Sequence, residues 1–213
     1  MTLTASDIYQ LLQDGDAILA FDTSVTNRRG FVKLCEQANR VNEWRQLLGL
    51  SPRLKLCIPA AAHTESLFHL GQKPDLQYNA NIPRRMLRKN NVSILLFEEK
   101  DAEHCAELLA RLYPTEQAWQ AYKRRRCLEC TGLPTKYHKW ASGKGEKCGA
   151  PNDWLIIAQA ERAGALLVMD DKGRSGDEYS LLERKVSFSE IRTVLQQIWA
   201  ELDAQLARRE EAL

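Results

Sequence analysis

The sequence predicts an α/β protein in three layers, with a central, mostly parallel sheet of four to five strands between helices. Short apolar runs without a polar face, such as Ala17–Phe21, are typical of strands that are buried on both sides. Longer segments with apolar residues three and four positions apart, which predict helices, separate these runs. This alternation favours parallel pairing, because a helix can carry the chain back to the start of the next strand. The predicted strands are Ala17–Phe21, Leu54–Ile58, Val92–Phe97, Ala165–Met169 and Lys185–Val186.

The helices are predicted from apolar spacing and from the residues at their ends. Ile8, Leu11 and Leu12 give the first helix an apolar stripe, and Pro151 opens a later helix where its missing N–H costs no hydrogen bond. The predicted helices are 5–13, 31–48, a helix opened by Pro59, 84–89, 101–113, 115–127, a helix from Pro151 that stops at Gly164, and 189–209. Residues 23–30 and 74–83 are predicted to be polar connections.

The chain length of 213 residues suits one elaborated domain. We expect an N-terminal helical extension (1–15), an inserted basic segment that contains Cys and His (about 127–150) and a long C-terminal helix (about 189–209). Residues 131–149 show no periodicity and are rich in Gly and Lys, which favours an inserted loop or a small metal-held lobe.

The charges are nearly balanced overall but unevenly distributed. Thirty Lys and Arg face 28 Asp and Glu, so the net charge of +2 says little about partners. One basic cluster lies at 84–89, and between Lys123 and Lys147 eight basic residues face only Glu129 and Glu146. Local excess of this kind suits a polyanion, and we expect Arg124, Arg125, Arg126 and Lys139 to contact RNA. Trp119 and Tyr122 precede the second cluster and predict either base stacking or aromatic rings that are turned inward.

The start of the chain has neither a basic segment nor an apolar stretch of the kind that directs secretion, and no apolar run approaches membrane-spanning length. We therefore expect a cytoplasmic protein without membrane contact. Most of the six cysteines are far from any other in sequence, which predicts reduced thiols.

Four acidic residues stand at the edges of apolar runs: Asp22, Glu65, Asp153 and Asp171. Asp22 and Asp171 end predicted strands, and ligands bind beyond the carboxyl ends of strands in parallel sheets. Gathering four negative charges is costly unless a divalent cation neutralises them. Taken singly, each would more often be a helix cap or a surface charge.

These acidic residues lie in segments that together resemble the PIN-domain ribonuclease family, which includes the toxins of VapBC-type toxin–antitoxin pairs. The segments are Phe21-Asp22-Thr23-Ser24, Ile58-Pro59 through Glu65-Ser66-Leu67, Asn152 through Ala160, and Leu166 through Lys172. Their order and spacing fit from about residue 16 to 187.

The resemblance implies a PIN-like fold and a set of acidic ligands for Mg²⁺ or Mn²⁺. The implied ligands are Asp22, Glu65, Asp153 and Asp171, with Asp170 as the alternative for the last position. Thr23 or Ser24 would support the site with a hydroxyl, and Asn152 would stand beside it.

The implied activity is hydrolysis of RNA phosphodiester bonds by a metal-dependent endoribonuclease, as a toxin or a phage-defence nuclease. A cognate antitoxin is the implied protein partner. The C-terminal helix has an apolar stripe that predicts packing on its own domain, with formation of a homodimer or antitoxin binding as the alternative; the stripe is Ile191, Val194, Leu195, Ile198, Leu202 and Leu206. A catalytically inactive PIN-like scaffold that binds nucleic acid or protein is the alternative. A phosphatase-like hydrolase with Asp22 as nucleophile is disfavoured, because Ser24 stands where a second Asp is expected.

A separate group could hold structural Zn²⁺: Cys127, Cys130, His138 and Cys148. The first two have metal-ligand spacing, but the other gaps match no standard zinc motif. The alternative is a set of unrelated thiols near a helix end and a turn.

Overall fold

The computed structural model describes residues 3–14, 17–26, 28–71, 81–122, 150–170 and 182–211, without the side chains at 14, 69–71 and 150–152. The described residues contain one sheet of five parallel strands, in the order β3-β2-β1-β4-β5. This finding confirms the predicted fold class. The strands are β1 (Ala17–Phe21), β2 (Leu54–Pro59), β3 (Val92–Leu95), β4 (Leu166–Met169) and β5 (Lys185–Ser187).

Helices flank the sheet, so the architecture has three layers. The helix α9 packs against α3 and α1, while α8 packs against α6 and α4. The helices are α1 (Ala5–Asp14), α2 (Thr23–Thr26), α3 (Phe31–Leu47), α4 (Ala60–Gly71), α5 (Asn81–Lys89), α6 (Glu99–Leu112), α7 (described residues 116–122), α8 (Ala150–Arg162) and α9 (Phe188–Glu210).

The strand order creates a switch point between β1 and β4. From β1 the chain proceeds outward through β2 and β3, and it then crosses back to form β4 on the other side of β1. Connections on the two sides of such a point leave a crevice at the carboxyl ends of the two strands. Every residue of β4 is buried, as is nearly all of β1, which explains their continuous apolar sequence.

The predicted polar connection at 23–30 is partly wrong, because α2 lies within it. The backbone carbonyl of Asp22 accepts hydrogen bonds from the N–H groups of Val25 and Thr26, and the Asp22 carboxylate accepts one from Ser24 N. Asp22 thus acts as the cap of a short helix, a role for which Asp is well suited.

The helix α5 also begins earlier than predicted, at Asn81 instead of Arg84. Pro83 falls within its first turn, where a backbone N–H has no helical partner, so the proline is tolerated there. The strand β3 is two residues shorter than predicted, and Leu96 and Phe97 beyond it are exposed.

The long C-terminal helix packs on its own domain, as its apolar stripe predicts. Ser187 caps α9 by accepting a hydrogen bond from the backbone N–H of Glu190, whose side chain bonds back to Ser187 N. The buried residues of α9 are Phe188, Ile191, Val194, Leu195, Ile198 and Leu202. None of the described helices is both long enough and apolar enough to cross a lipid bilayer.

Candidate functional site

Asp22 lies at the switch point, directly after β1. Its backbone N–H donates a 3.0 Å hydrogen bond to the carbonyl of Val168 in β4, and only 6% of the residue is exposed. Burial raises the pKa of the Asp22 carboxyl above its ordinary value, although hydrogen bonds from Ser24 and the Thr23 backbone act in the opposite direction. The charge of Glu65 raises the pKa further. The two carboxylates are therefore close enough to repel each other.

Thr23 holds Glu65 in this position. The buried Thr23 hydroxyl donates a 2.6 Å hydrogen bond to Glu65 Oε2 on α4. A second hydroxyl pair, Thr26 and Ser66, joins α2 to α4 at 2.8 Å. The short helix that sequence analysis missed is thus the element that brings the acidic residue of α4 toward the end of β1.

Ser24 connects the ends of β1 and β4. Its hydroxyl donates to the carboxylate of Asp22 and accepts a 3.1 Å hydrogen bond from the backbone N–H of Asp170. The structure thereby brings Asp22, Glu65 and the backbone of residue 170 together at the carboxyl ends of β1 and β4. Both supporting hydroxyl residues, Thr23 and Ser24, contact carboxylates of the predicted set.

The Asp170 side chain makes a different contact. Its carboxylate forms an ion pair with the guanidinium group of Arg28, and that group lies over the ring of Phe188, 5.0 Å from the ring centroid. Sequence reasoning missed Arg28, because one arginine in a polar connection carries no sign of a partner 142 residues away.

Asp153 lies in the first turn of α8 and is half-buried. Within the described part of the chain, no three His, Cys, Asp or Glu side chains form a group that could hold a metal ion. Asp22, Glu65 and Asp153 therefore do not by themselves make a three-carboxylate centre in this structure.

Gln159, which sequence reasoning also missed, fixes the position of α8. It is almost fully buried, accepts a hydrogen bond from Ala61 N at the start of α4 and donates one of 3.0 Å to the carbonyl of Leu95 at the end of β3. A buried amide that both accepts and donates a hydrogen bond is costly to replace. Gln159 therefore holds α8 and α4 in one arrangement. A Gln inside an apolar helix was the only sequence signal for this role.

Several predicted site residues lie outside what the structure describes. They are Asp171, the side chain of Asn152, the predicted RNA contacts Arg124, Arg125, Arg126 and Lys139, and the predicted zinc group Cys127, Cys130, His138 and Cys148.

Of the two aromatic residues before the second basic cluster, Tyr122 packs inward and Trp119 is partly exposed. Tyr122 is 2% exposed and lies in contact with the rings of Tyr113 and Trp119. Trp154 of α8 donates its indole N–H to the hydroxyl of Tyr122 at 3.4 Å. Tyr122 is therefore a packing residue and not a surface on which a base could stack.

The oxygen-donor chemistry of Asp22 and Glu65 fits a hard divalent cation such as Mg²⁺ or Mn²⁺. The Asp22 carboxylate is buried and Glu65 is partly buried, and both burial and the charge of Glu65 disfavour the charged form of Asp22, so a nearby positive charge would stabilise the site. Hydroxyl groups from Thr23 and Ser24 fix the orientation of the two carboxylates.

No protein-family model and no curated protein matches this chain. Among solved structures, the chain is similar to one in VapBC2 from Rickettsia felis bound to a DNA fragment from its promoter. The identity is 16%, the TM-score is 0.38, and the match covers 80% of this chain and 98% of the other. It is also similar to a chain of VapBC-1 from nontypeable Haemophilus influenzae, with 16% identity, a TM-score of 0.41 and coverage of 81% and 98%. Because both the sequence identity and the TM-score are low, function must be inferred from the side chains of the site.

Proposed function

We propose that this protein is a metal-dependent endoribonuclease of the PIN-like type. The observation that carries the proposal is the pairing of buried Asp22 with Glu65 at the switch point of a parallel sheet, next to the start of the Asp170-Asp171 segment. Ligands bind at that position in sheets of this kind, and two adjoining carboxylates suit a divalent cation.

Asp22 and Glu65 are the proposed inner ligands, and Asp153 and Asp171 complete the set. Because Mg²⁺ keeps several of its waters, a carboxylate such as Asp153 can hold the ion through water without touching it. Asp171 is preferred to Asp170 because the Asp170 carboxylate is already paired with Arg28. When bound, the ion supplies an activated water and stabilises negative charge on the scissile phosphate.

The residues of the chain contribute orientation and charge. Ser24 and Thr23 keep the carboxylate oxygens in fixed directions, and the burial of Asp22 limits competition from bulk water. The toxin role and a cognate antitoxin stay predictions of the family resemblance, and a homodimer stays a prediction from the apolar stripe of the C-terminal helix.

The test compares wild type with Asp22→Asn on a mixed RNA pool in the presence of Mn²⁺. Wild type should cleave RNA with Mn²⁺ and lose activity in EDTA, while Asp22→Asn should be at least about 100-fold slower, since even supporting residues of metal sites contribute 10- to 100-fold. Asp203→Asn, an exposed carboxylate on α9, is the matched control and should behave as wild type.

Asp22→Asn should also fold normally, and its thermal midpoint should be equal or higher, because the substitution removes a buried charge that both burial and Glu65 disfavour. Full activity in Asp22→Asn would overturn the proposal. Metal-independent RNA binding without cleavage by wild type would favour the inactive scaffold instead.

A further inference from the structure

The helix α5 presents four cations and no acid. Arg84, Arg85, Arg88 and Lys89, which we call the α5 basic face, are all exposed. Within the described residues, no ion pair or hydrogen bond engages any of these four side chains. Four cations without acidic neighbours on nine residues repel one another, so this surface is complementary to a polyanion.

The topology places α5 on the path from β2 to β3. Since these strands are parallel, the chain must return from the carboxyl edge of the sheet to the start of β3. The helix α5 ends at Lys89, shortly before β3 begins, and packs on that strand with Leu87 buried. Its first turns therefore lie toward the carboxyl edge, the edge that carries Asp22 and Glu65.

The helix α4, which carries Glu65, packs on β3, as α5 does. In a helix of about 3.6 residues per turn, positions 63 and 65 are about 200° apart. Glu65 lies on the flank of α4 that faces α2, where it accepts the hydrogen bond from Thr23, and His63 lies on the opposite flank.

The outer side of α4 between these flanks carries an exposed aromatic residue. Phe68 is 63% exposed and follows Glu65 by three positions, so the two side chains are neighbours on the helix surface. Thr64, also exposed, continues this outer side toward His63. An aromatic ring and a candidate metal ligand are therefore neighbours on α4, and the α5 basic face lies on the other helix that packs on β3.

We propose that the α5 basic face and Phe68 form the binding surface for single-stranded RNA, with the cations on phosphates and Phe68 under a base next to Glu65. The choice of RNA rests on the function proposed above. Single strands are favoured over duplexes because an exposed ring can stack only on a base that is not already stacked within a helix.

The test measures binding of a fluorescein-labelled oligouridylate of about 12 nucleotides by fluorescence polarisation across a salt series. All proteins carry Asp22→Asn, so cleavage does not interfere. The test variant replaces Arg84, Arg85 and Arg88 with Gln. The control replaces Arg111, Arg208 and Arg209 with Gln, which removes the same charge from the last turns of α6 and α9.

The α5 variant should reduce the slope of log K against log salt by about 2, since each phosphate contact of a single strand contributes about 0.7. Its affinity near 0.1 M salt should fall by about tenfold or more, while the control changes by less than about threefold. Phe68→Leu should weaken binding by about tenfold without changing the slope, and should leave binding of a duplex of the same length unchanged.

Equal salt slopes for the α5 variant and the control would overturn this assignment, as would loss of duplex binding in Phe68→Leu. Cleavage by wild type is scored separately. If wild type cleaves RNA but the α5 variant binds like the control, the surface is wrong and the nuclease stands. If RNA binding depends on the α5 basic face but wild type never cleaves, the nuclease is wrong and the surface stands.

Discussion

The hydroxyl of Thr23 donates a 2.6 Å hydrogen bond to the carboxylate of Glu65, 42 residues further along the chain. This bond joins the residue after Asp22 to α4 and holds Glu65 near Asp22, although the charge of Glu65 raises the pKa of the Asp22 carboxyl. A stable fold tolerates such a pair where the pair has a ligand to bind, and strain of this kind is concentrated at functional sites.

Replacing Thr23 with Val tests this bond, because the shape is kept and only the donor is lost. Metal-dependent cleavage should fall by about tenfold or more, as for other residues that orient metal ligands. Thr23→Ser, which keeps the hydroxyl, should stay within a few-fold of wild type. The measurement is the cleavage rate across a Mn²⁺ titration. Equal rates for Thr23→Val and Thr23→Ser would show that the hydrogen bond to Glu65 has no role in the site.

The two adjacent acidic residues after β4 are predicted to differ in function. Asp170→Asn should keep most of the cleavage activity, because the Asp170 carboxylate is paired with Arg28. Asp171→Asn should lose at least about 100-fold, as expected for a metal ligand. Both are measured by RNA cleavage with Mn²⁺. The reverse order of activities would make Asp170 the ligand and Arg28 its competitor.

Sequence reasoning succeeded where one physical signal dominates. The central strands β1 and β4 are runs that have no polar face, and burial on both sides of a parallel sheet requires such runs. Asp22 could be found for the same reason, since a carboxylate that follows a buried strand marks the carboxyl edge. The residues themselves indicated only that Asp22 and Glu65 both stand at the edges of apolar runs and that such charges need a cation if they are gathered; the family resemblance implied that the two share one site.

The rest depends on contacts between residues that are distant in the sequence. Arg28 and Asp170 are 142 positions apart, and Gln159 bonds to Ala61 across 98 positions. Neither residue type nor local spacing identifies such partners. The short helix α2 was missed because the Asp22 carbonyl and carboxylate decide its formation, while Thr, Ser and Val have low helix propensity.

Position 30 has no room for a side chain, because the ring of Phe188 lies against it. A Cβ atom on Gly30 would lie 2.9 Å from Phe188 Cζ. The guanidinium groups of Arg28 and Arg192 lie 5.0 and 5.7 Å from the centroid of that ring, which restricts its movement.

Gly30→Ala should therefore lower the free energy of unfolding by about 1 to 3 kcal/mol, the usual cost of overpacking. The shorter side chain in Phe188→Leu should relieve the overlap, so the double variant should be more stable than the sum of the single effects predicts. Urea unfolding of the four proteins measures this coupling. Strict additivity would mean that Phe188 is not the group that excludes a side chain at position 30.

Arg162 connects α8 to the start of α6. Its Nε lies 3.2 Å from the buried carboxylate of Asp101, and its terminal nitrogen lies 3.1 Å from the exposed carboxylate of Glu98. Arg162→Met should destabilise the fold by about 2 kcal/mol, because a buried acceptor loses a charged donor. Glu98→Gln should change stability by less than about 0.5 kcal/mol, since exposed pairs contribute little. Similar losses in both variants, measured by urea unfolding, would contradict this ranking.

Two buried thiols should make stability depend on alkaline pH. Burial raises the pKa of Cys35 and of Cys57 to about 12, from an ordinary value of 9.0. Below pH 9 both the folded and unfolded chains hold these protons, so the stabilising contribution is complete. As the pH rises from 9 toward 12, only the unfolded chain releases them, and the free energy of unfolding falls.

The readout is the loss of stability between pH 8 and pH 10, compared for wild type and Cys35→Ala/Cys57→Ala. At pH 10 each thiol should account for about 1 kcal/mol of that loss, so the double variant should lose about 2 kcal/mol less than wild type. The lower starting stability of the variant, caused by the cavities, cancels in this difference. Identical losses in the two proteins would mean that these thiols ionise as freely in the folded chain as in the unfolded one.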